Sequence, residues 1–357
     1  MTVLLSGGAG FIGQHLARRL VDLRLEVAAL DLLLPQAHAD PEAACAAFPG
    51  TVVVGDVADR RAWTDATSRV RRVEALVHLA AETGTAQSMY EVDRYHRVNV
   101  DGTRRAAEFA VGHGIPLLLV SSGAVYGEGR HECRDHRPTF GRPCCPAARP
   151  APSREDDPHH PVSVLGETKS LAESVATALC GDRVPLTVVR PQSVTGPGQA
   201  LHDPHTGVLA AFLAMLREQR PIALHGDGHQ TRDLVHVDDV AALLGHLVAA
   251  PPEPGHPLVL NAGTGVRNSL VELARLATDA APVPGAGTVL LGVRRAGDVE
   301  HACADLRRFS ETGAPLPVNS PAQAVDDFVR ASWDRPGAPA SAWDDALGEL
   351  ERRGLTR

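Results

Sequence analysis

The 357-residue chain carries 35 Lys and Arg against 43 Asp and Glu, a formal charge of −8. With no Lys/Arg-rich patch, nucleic acid is not an expected partner, and no apolar run has the length of a membrane span. Six cysteines in so long a chain do not make a disulfide framework, so a cytoplasmic protein with one large or two ordinary domains is expected.

The chain opens on an apolar strand, Thr2-Val3-Leu4-Leu5, that runs into Ser6-Gly7-Gly8-Ala9-Gly10-Phe11-Ile12-Gly13. An amphipathic helix follows (Leu16, Leu20, Val21), then a second strand, Val27 to Leu30, ending on Asp31. Strand, glycine turn, helix, strand and acid is the order a dinucleotide site requires. Gly7 permits the turn, Gly10 lets backbone N–H groups approach a pyrophosphate, and Gly13 lets the helix press onto the strand. Phe11 and Ile12 complete this cofactor turn, and the positive helix end faces the phosphates. Asp31 is placed to accept the adenine-ribose hydroxyls and to repel a 2′-phosphate. NAD rather than NADP is the expected cofactor.

Residues 32–50 read as a loop or frayed helix. Thr51 to Val54 is a short strand closed by Gly55-Asp56-Val57, which suits the adenine edge, and Arg61 to Val70 reads as a helix. Ala75-Leu76-Val77-His78-Leu79-Ala80-Ala81 is a fourth strand running into a small-residue turn, against which a pyrophosphate and ribose can lie. Tyr95 to Gly112 has helical periodicity and contains Asn99. Pro116 to Val120 is a fifth strand, ending in Ser121-Ser122-Gly123-Ala124-Val125-Tyr126-Gly127. Strands interleaved with helices imply an α/β fold with a parallel, doubly wound sheet, because parallel neighbours need crossover helices. Ligands then lie beyond the carboxyl ends of the strands.

Residues 128–161 show no periodicity and read as a long loop, a length usually functional or mobile. They hold Cys133, His136, Cys144 and Cys145, four potential ligands. Adjacent cysteines fit the usual C-x₂₋₄-C spacing poorly, so a surface loop without metal is expected. A helix is predicted over 166–179, then a strand, Leu186 to Val189, and the turn Arg190-Pro191-Gln192. The alternation fails from 193, returns at Asp233 to Val240, and yields another strand at Pro257 to Asn261. The expected organisation is a cofactor-binding domain from 1–192 and 233–262, a smaller C-terminal substrate domain from 193–232 and 263–332, and a charged terminal helix or tail over 333–357.

With these residues in view the chain resembles the extended short-chain dehydrogenase/reductase family, the NAD-dependent sugar-nucleotide epimerases and dehydratases. The resemblance rests on Gly7-x-x-Gly10-x-x-Gly13, Asp56-Val57, His78-Leu79-Ala80-Ala81, Asn99, Ser121-Ser122-x-x-Val125-Tyr126-Gly127, Lys169, Arg190-Pro191 and the run from Gly226 to Asp233. Two loops, Glu82 to Tyr90 and Gly196 to Val208 (through Thr206), are most similar to the dTDP-L-rhamnose 4-epimerase branch. The resemblance implies a Rossmann-type fold in which Gly7, Gly10, Phe11, Ile12, Gly13, Asp31, Asp56, Val57, Leu79, Ala80, Ala81, Asn99, Lys169, Arg190 and Pro191 hold NAD. It implies a nucleoside-diphosphate sugar as substrate, with Ser122 bonding the sugar 4-oxygen and Thr85 and Gln87 beside it. Arg232 would neutralise the diphosphate, and Arg295 and Asp298 would clamp phosphate and ribose. It further implies a homodimer, through the helix holding Asn99 and the helix starting near Lys169, with Ala107, Val111, Ala172, Val175, Ala176 and Leu179 facing outward.

Two departures matter. The dehydratases place Asp-Glu where this chain has Gly123-Ala124, which argues against dehydration. The family motif Tyr-x-x-x-Lys is here Leu165-Gly166-Glu167-Thr168-Lys169. Residues four apart share a helix face, so the ammonium of Lys169 would tune a tyrosine into a base, but leucine has no proton to exchange. Three readings stand: an epimerase or oxidoreductase with a relocated base (Tyr90, Tyr126, His159, His160 or His205), tyrosine-independent chemistry on a keto sugar, and a non-catalytic NAD or sugar-nucleotide binder.

Overall fold

A computed structural model describes residues 1–70, 72–205 and 207–357, so Thr206 of the second branch-like loop lies outside the described residues. Seven parallel strands form the central sheet: β1 Thr2–Ser6, β2 Glu26–Asp31, β3 Thr51–Val54, β4 Val73–His78, β5 Leu117–Val120, β6 Leu186–Pro191 and β7 Leu258–Ala262. Their spatial order is β3-β2-β1-β4-β5-β6-β7, and the order reverses at β1. That switch point, at the carboxyl ends of β1 and β4, is where doubly wound sheets bind ligands.

Side-chain alternation divides the core in two. Val3, Leu5, Ala29 and Val77 pack toward Leu16 and Leu20 of helix Phe11–Asp22 and Leu243, Leu244 and Leu247 of helix Val237–Ala249. Leu4, Ala28, Leu76, Leu117 and Leu119 pack toward Trp63, Ala106, Phe109, Ala110 and Ala176 on the other face. Strands buried on both faces read as unbroken apolar runs, which is why they were legible. A third core joins Leu209, Phe212, Leu213, Leu273, Phe328 and Val329 from helices Val208–Arg217, Leu270–Ala280 and Pro321–Ser332. These helices and the loops beside them stand over the carboxyl ends of the sheet.

The fold departs from the sequence reading in three places. Residues 128–161 contain a small antiparallel sheet, Arg130–Glu132 between Thr139–Phe140 and Arg149–Pro150, whose pairing no periodicity announces. The predicted 95–112 helix is broken up: an α-helical turn, Val92–Tyr95, leads into a π-turn, His96–Asp101, before the α-helix Gly102–His113. The predicted terminal helix is Ser341–Arg352, and residues after it return to pair with the 294–296 segment: Arg357 N–H donates to Arg294 C=O at 2.8 Å, and Ala296 N–H to Leu355 C=O at 2.8 Å. Among the described residues no helix is long and apolar enough to cross a membrane.

Candidate active site

The glycine turn is shaped by close approach. Gly7 has φ +71°, and a Cβ there would meet the Ala80 backbone nitrogen at 2.6 Å; one at Gly13 would meet the Gly8 carbonyl oxygen at 2.4 Å. No side chain fits either place. Helix Phe11–Asp22 therefore starts directly from the turn at Gly10, which puts the positive end of its dipole at the cavity end of the sheet. Asp31 closes β2, buried, accepting from Ala9 N–H at 3.1 Å and Leu33 N–H at 2.9 Å, with His38 Nε2 3.4 Å away. A carboxylate fixed this way presents negative charge where an adenine ribose would lie.

One cavity of about 1100 Å³ runs from this turn into the smaller unit. It is lined by Gly7, Gly10, Phe11, Ile12, Gly13, Asp31, Asp56, Val57, Leu79, Ala80, Ala81, Thr85, Ser122, Leu165, Lys169, Pro191, Arg232, Arg295 and Asp298. Three residues assigned from the sequence do not line it. The Asn99 amide is taken by Glu82 N–H (2.9 Å), Glu82 C=O (3.2 Å) and Thr168 Oγ1 (3.0 Å), fastening the π-turn to the β4 loop and to helix Val164–Cys180. Arg190 is buried in an ion pair with Glu173 at 2.7 Å and donates to Tyr126 Oη at 2.7 Å. Gln87 accepts from Gln36 at 2.8 Å and donates to Glu91 at 3.1 Å. All three support the wall from behind.

Helix Val164–Cys180 is capped by Ser163, whose Oγ accepts from Gly166 N–H at 3.1 Å, and its first two turns place Leu165 and Lys169 on the cavity side. Leu165 is buried and fills the position where the family motif has its hydroxyl. Lys169 Nζ donates to Val120 C=O at 3.0 Å, and burial pulls its pKa down to about 8, with Glu173 opposing. Ser122 accepts from Ala124 N–H at 3.1 Å, which leaves its own O–H proton uncommitted. Behind them His78 is held neutral, its pKa lowered to about 3 by burial and by Lys169.

At the far end Arg295 Nε and Asp298 Oδ2 pair at 2.8 Å. Burial opposes the Asp298 carboxylate, but Arg295 and Arg232 outweigh it and keep its pKa below the ordinary value. Arg232 has no carboxylate within ion-pair distance among the described residues; its Nη1 donates to the Thr231 C=O at 2.9 Å. Desolvation lowers the Arg232 pKa, with Asp298 opposing. A poorly solvated guanidinium with carboxylates nearby but none in contact is suited to an incoming anion.

Of the five candidate replacement bases, only His205 lines the cavity. Tyr126 Oη donates to Asn261 Oδ1 at 2.7 Å, and burial raises its pKa. His159 lies between Arg190 and Ser170, His160 stacks with Phe140, and Tyr90 sits under Arg353. Sequence reasoning missed the wall formed by Glu128, Gln192, His225, Trp343 and Leu350. Trp343 and Leu350 follow the helical spacing of an apolar face, the one signal available.

A family model described as "NAD dependent epimerase/dehydratase family" matches residues 3–263. The chain is 39% identical over 323 residues to a dTDP-L-rhamnose 4-epimerase of Burkholderia thailandensis, covering 85% of this chain and 87% of that protein. Among solved structures it resembles MoeE5 in complex with UDP-glucuronic acid and NAD, at TM-score 0.74 and 27% identity over 93% of this chain and 99% of that one. It also shares the fold of the Thermus thermophilus UDP-glucose 4-epimerase in complex with NAD, at TM-score 0.77 and 24% identity over 94% and 100% of the two chains. A Rossmann-type sheet with this cleft defines a dinucleotide-dependent protein. The chain belongs to the NAD-dependent epimerase/dehydratase family, and its cofactor is NAD.

The Asp31 carboxylate gives a direct test of that cofactor's selection. Asp31→Ala is expected to cost about 1.5–3 kcal/mol in NAD binding, the scale of a charge-assisted hydrogen bond, and to relax discrimination against NADP. Calorimetric titration with both dinucleotides measures it. Equal affinity of the unmodified protein for the two would refute the assignment to Asp31.

Proposed function

We propose that the protein is an NAD-dependent epimerase of a nucleoside-diphosphate deoxyhexose that acts by transient oxidation of the sugar. The observation that carries this is the shared cavity, which holds the glycine turn, the Ser122–Leu165–Lys169 cluster and the unpaired Arg232. NAD, when bound, supplies the hydride acceptor. Gly7, Gly10 and Gly13 leave room for it, Asp31 selects its ribose, and Lys169 is placed for the nicotinamide ribose. Ser122 donates to the sugar oxygen, and Arg232, Arg295 and Asp298 take the diphosphate and nucleoside. With leucine at 165, we assign proton exchange to Lys169, an amine whose pKa of about 8 lets it both accept and return a proton near neutrality.

Leu165 also supports a second reading, chemistry on an existing keto sugar that needs no tyrosine. A panel of nucleotide sugars separates the two, beginning with dTDP-L-rhamnose, which the Burkholderia relative's name specifies. Products are followed by NMR and mass spectrometry. The first reading expects an isomer of unchanged mass from a hydroxylated sugar; turnover of keto sugars alone supports the second. No product, with bound NAD oxidised throughout, leaves a binding protein.

We infer a homodimer, on a smaller surface than the sequence implied. Ala107, Ala172 and Ala176 are buried within the chain where helices Gly102–His113 and Val164–Cys180 pack together. Leu171 is 40% exposed, with Val111, Val175 and Leu179 partly exposed, and this strip is the twofold contact proposed. Light scattering at micromolar concentration is expected to give twice the chain mass, and Leu171→Glu to give a monomer. A monomeric unmodified protein would rule this out.

A further inference from the structure

The small sheet inserted at 130–150 brings four metal-ligating side chains to one point. Cys133 follows its first strand, His136 lies in the turn, and Cys144 and Cys145 precede its last strand. Their ligand atoms all lie within 4.8 Å of one another. Cys133 Sγ is 3.0 Å from His136 Nδ1 and 3.6 Å from Cys144 Sγ, and Cys144 Sγ is 3.8 Å from Cys145 Sγ.

These distances discriminate between the fates open to clustered thiols. Bonded sulfurs stand about 2.05 Å apart, far closer than any pair here. A tetrahedral zinc with Zn–S of about 2.3 Å and Zn–N of about 2.0–2.1 Å has sulfur–sulfur edges of about 3.7 Å and sulfur–nitrogen edges of about 3.5 Å. The two sulfur pairs at 3.6 and 3.8 Å match that edge, and the Cys–His pair opens to it with a shift of about half an ångström. The C-x₂₋₄-C spacing rule describes two ligands in one knuckle. In this chain the antiparallel pairing of Arg130–Glu132 with Arg149–Pro150 joins two separate ligand pairs.

We propose that Cys133, His136, Cys144 and Cys145 bind one zinc ion in a closed Cys₃His site. Four protein ligands leave no position for water or substrate, so the ion is structural. Its place gives it a use. The ligands bracket Gly141 and Arg142, which line the cavity, and the metal ties both ends of that segment to the sheet. The base of the sheet is anchored independently, by the buried Arg130–Asp157 ion pair and by Arg130 over the Phe140 ring at 5.3 Å. Metal loss therefore loosens the tip, and with it the Arg142 wall, while the domain stays folded.

The full-length protein, purified without chelator, is expected to hold one zinc per chain by inductively coupled plasma mass spectrometry. Zinc release by a mercurial reagent, read with a chromogenic chelator, needs no variant and so stays informative if substitutions misfold. Replacement by cobalt is expected to give sulfur-to-cobalt charge transfer and the intense visible bands of tetrahedral coordination. Cys133→Ser and Cys144→Ser should each lose the metal, and Cys45→Ser, outside the cluster, should keep it. Chelation should weaken nucleotide-sugar binding at least several-fold and leave NAD affinity and the far-ultraviolet circular dichroism unchanged. That last expectation rests on the function proposed above; the metal content does not. A metal-free protein in which Cys133, Cys144 and Cys145 all react freely, a Cys133–Cys144 disulfide by mass, or zinc retained in both serine variants would overturn the site.

Discussion

Leu165→Tyr is expected to raise epimerase turnover by on the order of 10²–10⁴-fold, the usual worth of a positioned general acid–base group. The position is prepared for it. Leu165 lines the cavity beside Ser122, and Lys169 sits one turn further along the same helix face. On the assignment proposed above, Lys169 carries the proton alone in the unmodified protein. Below pH about 8 the ammonium has no lone pair to accept a proton, so the rate should rise with pH through that value and level off above it. A phenol at 165 takes over as the base while the ammonium remains charged beside it, lowering the phenol pKa from about 10. The rising limb should then move away from 8. Stopped-flow absorbance of the reduced cofactor, with product analysis across pH, measures both effects. An unchanged rate and an unchanged profile would defeat the assignment to Lys169 and leave His205 as the cavity-lining alternative.

Arg232→Ala is expected to weaken nucleotide-sugar binding by about 2–4 kcal/mol, the cost of removing one partner from a desolvated charge pair. The unliganded guanidinium lacks a carboxylate at contact distance, so its charge is kept for an incoming anion. Arg232→Lys should recover part of the loss, because an ammonium matches the charge and not the planar fork. NAD affinity should not change, which separates a binding role from a folding defect. Binding of free sugars as tightly as their nucleotide derivatives would show that the diphosphate is not what the site recognises.

The part of the cavity nearest the glycine turn was readable in the sequence because consecutive residues build it. Gly7, Gly10 and Gly13 declare a backbone path by lacking side chains, and strand burial on both faces makes β1, β2 and β4 visible. Asn99, Arg190 and Gln87 show where such reading stops. Motif membership fixes a position, but whether a polar side chain faces the cavity depends on which neighbour takes its hydrogen bonds. For Asn99 those neighbours are Glu82 and Thr168, neither of them adjacent in sequence. The wall from Trp343 and Leu350 was missed for the same reason: it arises from packing between segments far apart along the chain.

The match to the family ends at residue 263, yet Arg294, Arg295, Asp298, Trp343, Leu347 and Leu350 all line the cleft. One wall of the cleft is thus built by a stretch of sequence beyond that match, although Phe309 and Ala314 of the same stretch also pack into the core beneath the sheet. On the function proposed, a change of sugar preference can enter through that wall while the glycine turn that seats the dinucleotide keeps its own sequence. Grafting residues 264–357 of a relative onto this chain should transfer substrate preference while dinucleotide preference stays with Asp31.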